Sequence, residues 1–297
     1  MTNNKVLKGV LLVGLGASSY GMLATFVKLA YNEGYTTAEV TSSQMLLGVL
    51  GMLIIVFFQS LNKAKPVLKP TRKDITMLML AGTSMGFTSV FYYMAVRYIP
   101  VSIGIVMLMQ TVWMGVVLEA ILTKVLPPPK KVVAVLIVLT GTLMATNLIK
   151  SDTLPDLRGI AWGLLAAASF TATMFTSNRI AVHLPPTKRG LFMLLGGTAI
   201  VGIFTAITWT GSYDFSIFIK WGIIMALFGT IIPPILLNIG FPYTGIGLGS
   251  IVSSLELPVS VMMAYFLLSE KVTLIQWLGI VLILTAIVLM NIKRRKG

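Results

Sequence analysis

The sequence predicts an all-α polytopic membrane protein: ten transmembrane helices forming two inverted five-helix repeats, with the N-terminus and C-terminus both cytoplasmic. Three observations carry this. The 297 residues are 56% hydrophobic and 11% charged, with a mean hydropathy of +0.91, whereas an ordinary soluble domain is roughly 25% charged. The apolar residues gather into runs of about 20, the length a helix needs to cross a hydrocarbon core. The chain also resembles itself at an offset of about half its length.

The predicted spans run 8–30, 37–61, 75–96, 101–122, 131–149, 159–181, 189–209, 218–239, 246–268 and 273–292. Their connections are short and carry turn signals such as Lys69-Pro70-Thr71 and Pro127-Pro128-Pro129. The first span, with Lys5 and Lys8 before it, has the flanks of a signal peptide, but further spans follow and it reads as a transmembrane helix.

A formal net charge of +14 raises the question of nucleic acid. The basic residues lie between spans rather than on one surface, which excludes that partner and leaves the lipid bilayer. With the N-terminus inside, Lys63, Lys65, Lys69, Arg72, Lys73, Lys124, Lys130, Lys131, Arg179, Lys188, Arg189 and Lys293 to Lys296 fall on the cytoplasmic side. On the other side Lys28, Arg97, Lys150, Arg158, Lys220 and Lys271 are balanced by Glu33, Glu39, Asp152, Asp156, Asp214 and Glu270. The absence of cysteine excludes disulfides and thiolate sites, and a lone His183 leaves little for a metal centre, so no cofactor is expected.

An offset of 150 sets KGVLLVGLGASSYG (8–21) against RGIAWGLLAAASFT (158–171), and an offset of 145 sets VLIVLTGTLM (135–144) against IVLILTAIVL (280–289). The halves are therefore 1–150 and 151–297. An odd number of spans per copy inverts the second copy, the pattern of secondary transporters that rock about a midplane site.

The segments VVAVLIVLTGTLM of span 5 and WLGIVLILTAIVLM of span 10 carry no charge, and these spans are expected at the periphery. Polar or small stripes mark span 1 (Ser18, Gly21, Thr25, Lys28), span 3 (Gly82, Gly86, Ser89, Tyr93) and span 9 (Gly249, Ser253, Glu256, Ser260); each serves helix packing or lines a pathway. Glu256 stands near the bilayer centre, where a bare charge costs at least about 2.5 kcal/mol. It is either a carboxyl bonded within the bundle or a site for substrate or proton. Pro258 cannot donate to the carbonyl of Ser254, predicting a kink with an exposed acceptor beside Glu256. Pro233 and Pro234 predict a second break, freeing the carbonyls of Gly229 and Thr230 near Asn238. The repeat sets Gln110 and Trp113 opposite Glu256 and Val259, and Tyr20 opposite Phe170. A cavity lined by such aromatics suits apolar or amphipathic solutes. Glu119 is expected to snorkel toward Lys124 or the loop, and Lys28, Arg97 and Glu270 to be interfacial anchors.

Two motifs fail. Gly82-Thr83-Ser84-Met85-Gly86 matches the G-x-S-x-G pattern of serine hydrolases, but His183 falls in a loop and no aspartate lies within a span to orient it. The glycines of VGLGASSYG lie inside an apolar helix with no preceding strand, so they form no dinucleotide fingerprint.

LELPVSVMMAYFLLSEKVTLIQWLGIVLILTAIVLM (255–290) resembles the second-repeat ending of the EamA-type drug/metabolite transporter superfamily. Pro258 matches that family's proline and Glu270 its acidic residue, with Ser269 in place of the usual glycine. In the first copy Val112 stands at the proline position and Lys124 at the acidic one. The resemblance implies ten helices, a central cavity, and transport of amino acids, drugs or other metabolites, often outward; it identifies no substrate.

The expected function is secondary active transport, as an exporter of a small neutral, zwitterionic or cationic organic solute, by alternating access, with a proton or other gradient ion coupled through Glu256. The alternatives are a lipid or lipid-linked-sugar flippase and a non-transporting intramembrane enzyme or scaffold. The expected location is the bacterial inner membrane, as monomer or homodimer.

Overall fold

The computed structural model describes residues 3–61, 69–99, 101–146, 156–209, 211–269 and 271–291. Within these residues the chain is helical and contains no strand. In order come α1 (Asn3–Asn32), α2 (Thr37–Leu61), α3 (Arg72–Val96), α4 (Val101–Leu108), α5 (Thr111–Thr123), α6 (Pro129–Ala145), α7 (Leu157–Arg179), α8 (Pro186–Ile207), α9 (Ile223–Ala226), α10 (Ile232–Ser253), α11 (Glu256–Leu267) and α12 (Leu274–Asn291). π-Helical turns at Phe218–Gly222 and Leu227–Ile231 flank α9.

Local sequence sets many of the starts. Thr36 with Glu39, Thr71 with Asp74 and Thr273 with Gln276 form capping boxes: each threonine hydroxyl accepts the backbone N–H three residues on, and the acidic or amide side chain accepts the threonine N–H, at 2.7–3.4 Å. Pro129 and Pro186 open α6 and α8, where a missing N–H is no loss. Asp156 caps α7 through the Arg158 N–H at 2.8 Å. Beside Arg158 its carboxyl is held below the ordinary aspartate range.

Among the described residues, seven helical runs are long and apolar enough to cross a membrane. One of them, Phe218–Leu267, spans 50 residues, far beyond a single crossing. It is interrupted at Gly245, whose φ of 74° and ψ of 176° suit a residue without Cβ. The predicted spans 8 and 9 are thus one run, and the gap expected at 240–245 narrows to that glycine. Predicted span 4 divides into α4 and α5. The expected ends at 149 and 292, and Glu270, lie outside the described residues.

The main packing pairs are α1 with α10 and α11, α3 with α7 and α8, and α6 with α12. The α3–α8 crossing is very close: a Cβ on Gly86 would lie 2.6 Å from the Gly197 carbonyl oxygen, so only glycine fits. The hydrolase-like glycines are therefore packing residues. Ser84 itself bonds Ala81 O and Thr173 Oγ1, both at 2.7 Å. It lies about 15 Å along α3 from Asp74, whose carboxylate faces His183 at 3.5 Å.

The two-repeat architecture is written in backbone hydrogen bonds. Between α4 and α5, Gln110 N bonds Met107 O and Val112 N bonds Met109 O, both at 3.0 Å; between α10 and α11, Leu255 N bonds Val252 O at 3.1 Å and Leu257 N bonds Ser254 O at 3.2 Å. Every partner is shifted by 145 residues (252 − 107 = 145). Left-handed residues follow at the same offset, Lys124 with φ 55° and Ser269 with φ 53°. The half-helix break is thus duplicated with its helix-ending turn. It also corrects the expected alignment: Glu256 is the counterpart of Thr111 rather than Gln110, and Pro258 of Trp113 rather than Val112.

Candidate functional site

Glu256 is the first residue of α11, directly after the Ser254–Leu255 break. A carboxylate there stands at the positive end of the half-helix dipole. Pro258 falls in the same first turn, where its missing donor is tolerated. The predicted kink is therefore a full break, and the carbonyl of Ser254 is not a free acceptor, because it takes the Leu257 N–H at 3.2 Å. A bend that lets residue 257 bond three positions back satisfies the group that proline leaves unserved.

α1 reaches this turn through Gly21, against which the Glu256 carbonyl and the Val259 side chain are seated so closely that a Cβ would overlap them. That approach sets Tyr20 beside Glu256, and Tyr92 comes within electrostatic range of the same carboxylate from α3. Phe170 of α7 meets the Tyr20 ring edge-on, with centroids 6.2 Å apart. These two aromatics, paired by the repeat, touch at the junction of the halves. Glu256, Tyr20, Tyr92 and Tyr93 all keep some accessible surface, so the cluster is not a sealed core.

A second hydroxyl cluster continues from there toward the α1–α2 turn. Tyr93 lies within hydrogen-bonding reach of Thr41 and Tyr31, Tyr31 Oη donates to Thr37 Oγ1 at 3.4 Å, and the Tyr92 and Tyr93 rings are 6.2 Å apart. Tyr31, Tyr92 and Thr41 are absent from the expected set. The signal is present in the sequence: Tyr20 and Tyr31 are eleven residues apart, about three turns, hence on one face of α1.

The structure separates other expected site residues. Ser18 Oγ bonds Gly14 O at 2.8 Å and Ser253 Oγ bonds Gly249 O at 2.9 Å, each within its own helix. Ser260 packs by its backbone against Gly21. Gln110 bonds Val106 O at 3.0 Å and accepts Trp113 Nε1 at 2.9 Å, while Trp113 shares an exposed stripe with Val117 and Ile121. Pro233 and Pro234 open α10 after the π-turn Leu227–Ile231, a shifted ladder that accommodates two residues without N–H.

Asn238 belongs to a different structure, a knot at the α7–α8 end. Arg189, expected among solvated loop cations, is 1% exposed. It donates to Ser177 O at 2.5 Å, Ile180 O at 3.1 Å and Asn238 O at 2.8 Å. Because α8 starts at Pro186, residue 189 faces the last carbonyls of α7, and a guanidinium fork matches those orphan acceptors. Asn178 Nδ2 adds a bond to Phe241 O at 2.5 Å. Glu119 pairs with Lys131, not with Lys124, and lies against Gly245 and Gly247 at the interruption of α10. Among the described residues no group of three or more His, Cys, Asp or Glu side chains could hold a metal ion.

Comparison with known proteins adds the following. Residues 7–147 and 157–292 each match the model of the EamA-like transporter family. A solved crystal structure superposes with a TM-score of 0.78 over 96% of each chain at 12% identity, a likeness of fold. No curated protein matches.

Proposed function

Since this chain belongs to the EamA-like transporter family and is an integral membrane protein, we propose that it works as a secondary active exporter of a small organic solute bearing an amine, coupled to a proton or another ion gradient. Membrane transport of the drug/metabolite class comes with the family; substrate charge, direction and coupling are the proposal. The observation that carries it is one carboxylate, Glu256, at a half-helix start, partly accessible among the helices and within electrostatic range of Tyr20 and Tyr92, which together make a cleft able to take a solute. Tyrosine faces and a carboxylate together favour ammonium groups over phosphates. The buried cation Arg189 is occupied by carbonyls and offers no anion site.

The scaffold supports alternating access. The polar knot at the α7–α8 end and the buried apolar cluster of Val10, Val13, Met174, Leu237 and Phe241 would close one side of the cleft. Lys5, Lys8, Lys69, Arg72, Lys73, Arg179 and Lys188 gather at that end, which supports placing it in the cytoplasm, with both termini there, in a bacterial inner membrane. Units 1–150 and 151–297, related by inversion, would then exchange roles between outward and inward states.

The test is uptake and efflux of a panel of amines, zwitterions and neutral solutes in proteoliposomes under an imposed pH gradient, with wild type and Glu256→Gln side by side. Gradient-driven movement of amines in wild type and its loss in the variant is the expected result. Unchanged gradient-driven transport in Glu256→Gln would remove the coupling role.

A further inference from the structure

Away from the cleft, a groove of about 380 Å³ opens sideways between α2 and the second half of α8. Its floor includes Met45 and Val201, and its wall is an aromatic ledge in which Trp209 and Tyr213 stack at 6.0 Å and Tyr213 meets Phe215 at 4.9 Å. Gly202 sits at the mouth, and a side-chain carbon built there meets nothing within 4 Å. Leu46 and Ile203 beside it are exposed. The groove is therefore an open slot in the lipid-facing surface, smaller than most drug pockets. The Thr205 hydroxyl is buried in its wall without a partner among the described residues.

The segment that forms the ledge has a second face. Tyr213 and Phe215 point into the groove, whereas Ser212 and Asp214 line a polar cavity of about 470 Å³ with Glu33, Glu39 and Lys220. Tyr213 marks the boundary, with its hydroxyl 2.8 Å from Ser42 Oγ and 3.4 Å from the Glu39 carbonyl. Lys220 Nζ stands 3.7 Å from Glu33 Oε2. An apolar slot open to the bilayer thus adjoins a rim with three carboxylates and one lysine. That balance repels a purely anionic headgroup and attracts one carrying an ammonium beside its phosphate.

We infer that this surface binds one bilayer phospholipid with a primary ammonium headgroup, an acyl chain in the α2–α8 groove and the headgroup on the Glu33, Asp214 and Lys220 rim. The inference rests on the membrane location and not on the transport reading. A bound chain fills a slot that neighbouring side chains leave empty, and it ties α2 to α8 across the two repeats.

The test is native mass spectrometry of the detergent-purified protein with equal amounts of palmitoyl-oleoyl phosphatidylethanolamine and phosphatidylglycerol, with thermal unfolding run in parallel to confirm folding. The ethanolamine lipid is expected to be retained several-fold over the glycerol lipid. Gly202→Phe, which places its ring in the empty slot, should reduce that adduct to the level of the glycerol lipid. The double variant Glu33→Gln/Asp214→Asn should retain lipid but lose the preference. Equal retention of both lipids by wild type, or an undiminished ethanolamine adduct in Gly202→Phe, overturns the inference.

Discussion

The two half-helix breaks have the same backbone and different chemistry. At Met109–Gln110 the following half-helix starts with Thr111, which is fully buried and bonds Thr171 Oγ1 at 2.8 Å. At Ser254–Leu255 the equivalent position holds Glu256, partly accessible and within electrostatic range of two tyrosines. A turn made of N–H to carbonyl bonds needs no particular side chain, so duplication preserves it while the side chains diverge. Only one copy supplies a carboxylate, and the site is asymmetric on a near-symmetric scaffold.

The second helices of the repeats repeat that lesson. Glu39 and Arg189 stand at an offset of 150, both buried, with opposite charge. Glu39 accepts from Thr36 N at 2.7 Å and Asp214 N at 2.6 Å, serving donors at a helix start. Arg189 serves acceptors at the preceding helix end. Each sign fits the unpaired backbone groups it meets.

The largest effect expected from breaking this comparison is in stability. Arg189→Met strips three carbonyls of their donor, two at the end of α7 and Asn238 O inside α10, and should cost about 3 kcal/mol or more, read by thermal or denaturant unfolding in detergent. Glu39→Gln keeps an acceptor in its capping box and should cost about 1 kcal/mol or less. Equal losses would contradict the asymmetry. Next comes transport: Glu256→Gln should lower gradient-driven flux at least about tenfold, equivalent to about 1.4 kcal/mol, while Thr111→Val at the matching position leaves flux nearly unchanged. Comparable losses from both would make the two copies equal partners.

Pro258→Ala should change stability by less than about 1 kcal/mol, because the proline occupies a first turn whose N–H was already unpaired. Turnover should nevertheless fall, since alanine allows α10 and α11 to join into one helix. Full activity of the Pro258→Ala variant would show that the duplicated turn alone holds the break.

The smallest effect concerns the Asp214 turn. Hydrogen bonds from the Ser216 hydroxyl and, at 2.8 Å, from its N–H hold the Asp214 carboxyl below its ordinary value of 3.8. A lowered folded value means that the contribution is complete above 3.8 and is lost as pH falls through the folded value. Amide exchange at Ser216 should therefore stay slow from neutral pH down to that range and quicken below it. Asp214→Asn should remove that dependence.

Much of the fold was legible because membrane burial is a length and composition problem. The apolar runs located α1, α2, α3, α7 and α8 within a few residues, and the repeat offsets set span 4 opposite span 9, but the break inside span 4 was not expected because no proline marks it. Alignment at the break itself was off by one residue, since Gln110 and Glu256 are both polar and identity at one position cannot fix register. Hydrogen bonds fixed it. Of the expected site, Glu256, Tyr20 and Phe170 come together, and Tyr93 joins the adjacent cluster. Ser18 and Ser253 bond their own helices, an outcome that a stripe of small polar residues does not reveal. Arg189 was misplaced because charge patterning counts a cation by its neighbours in sequence, not by the carbonyls a helix start presents to it.

By itself, the sequence determined that this chain is helical, membrane-embedded and duplicated, because hydropathy, span length and self-similarity are properties of the linear chain. Only the tertiary structure decided which copy carries a partly accessible carboxylate at its break, which charge is buried in the α7–α8 knot, and where a groove opens between α2 and α8. Those depend on how closely helices distant in sequence approach. Gly21 against Glu256 and Gly86 against Gly197 set those approaches in three dimensions.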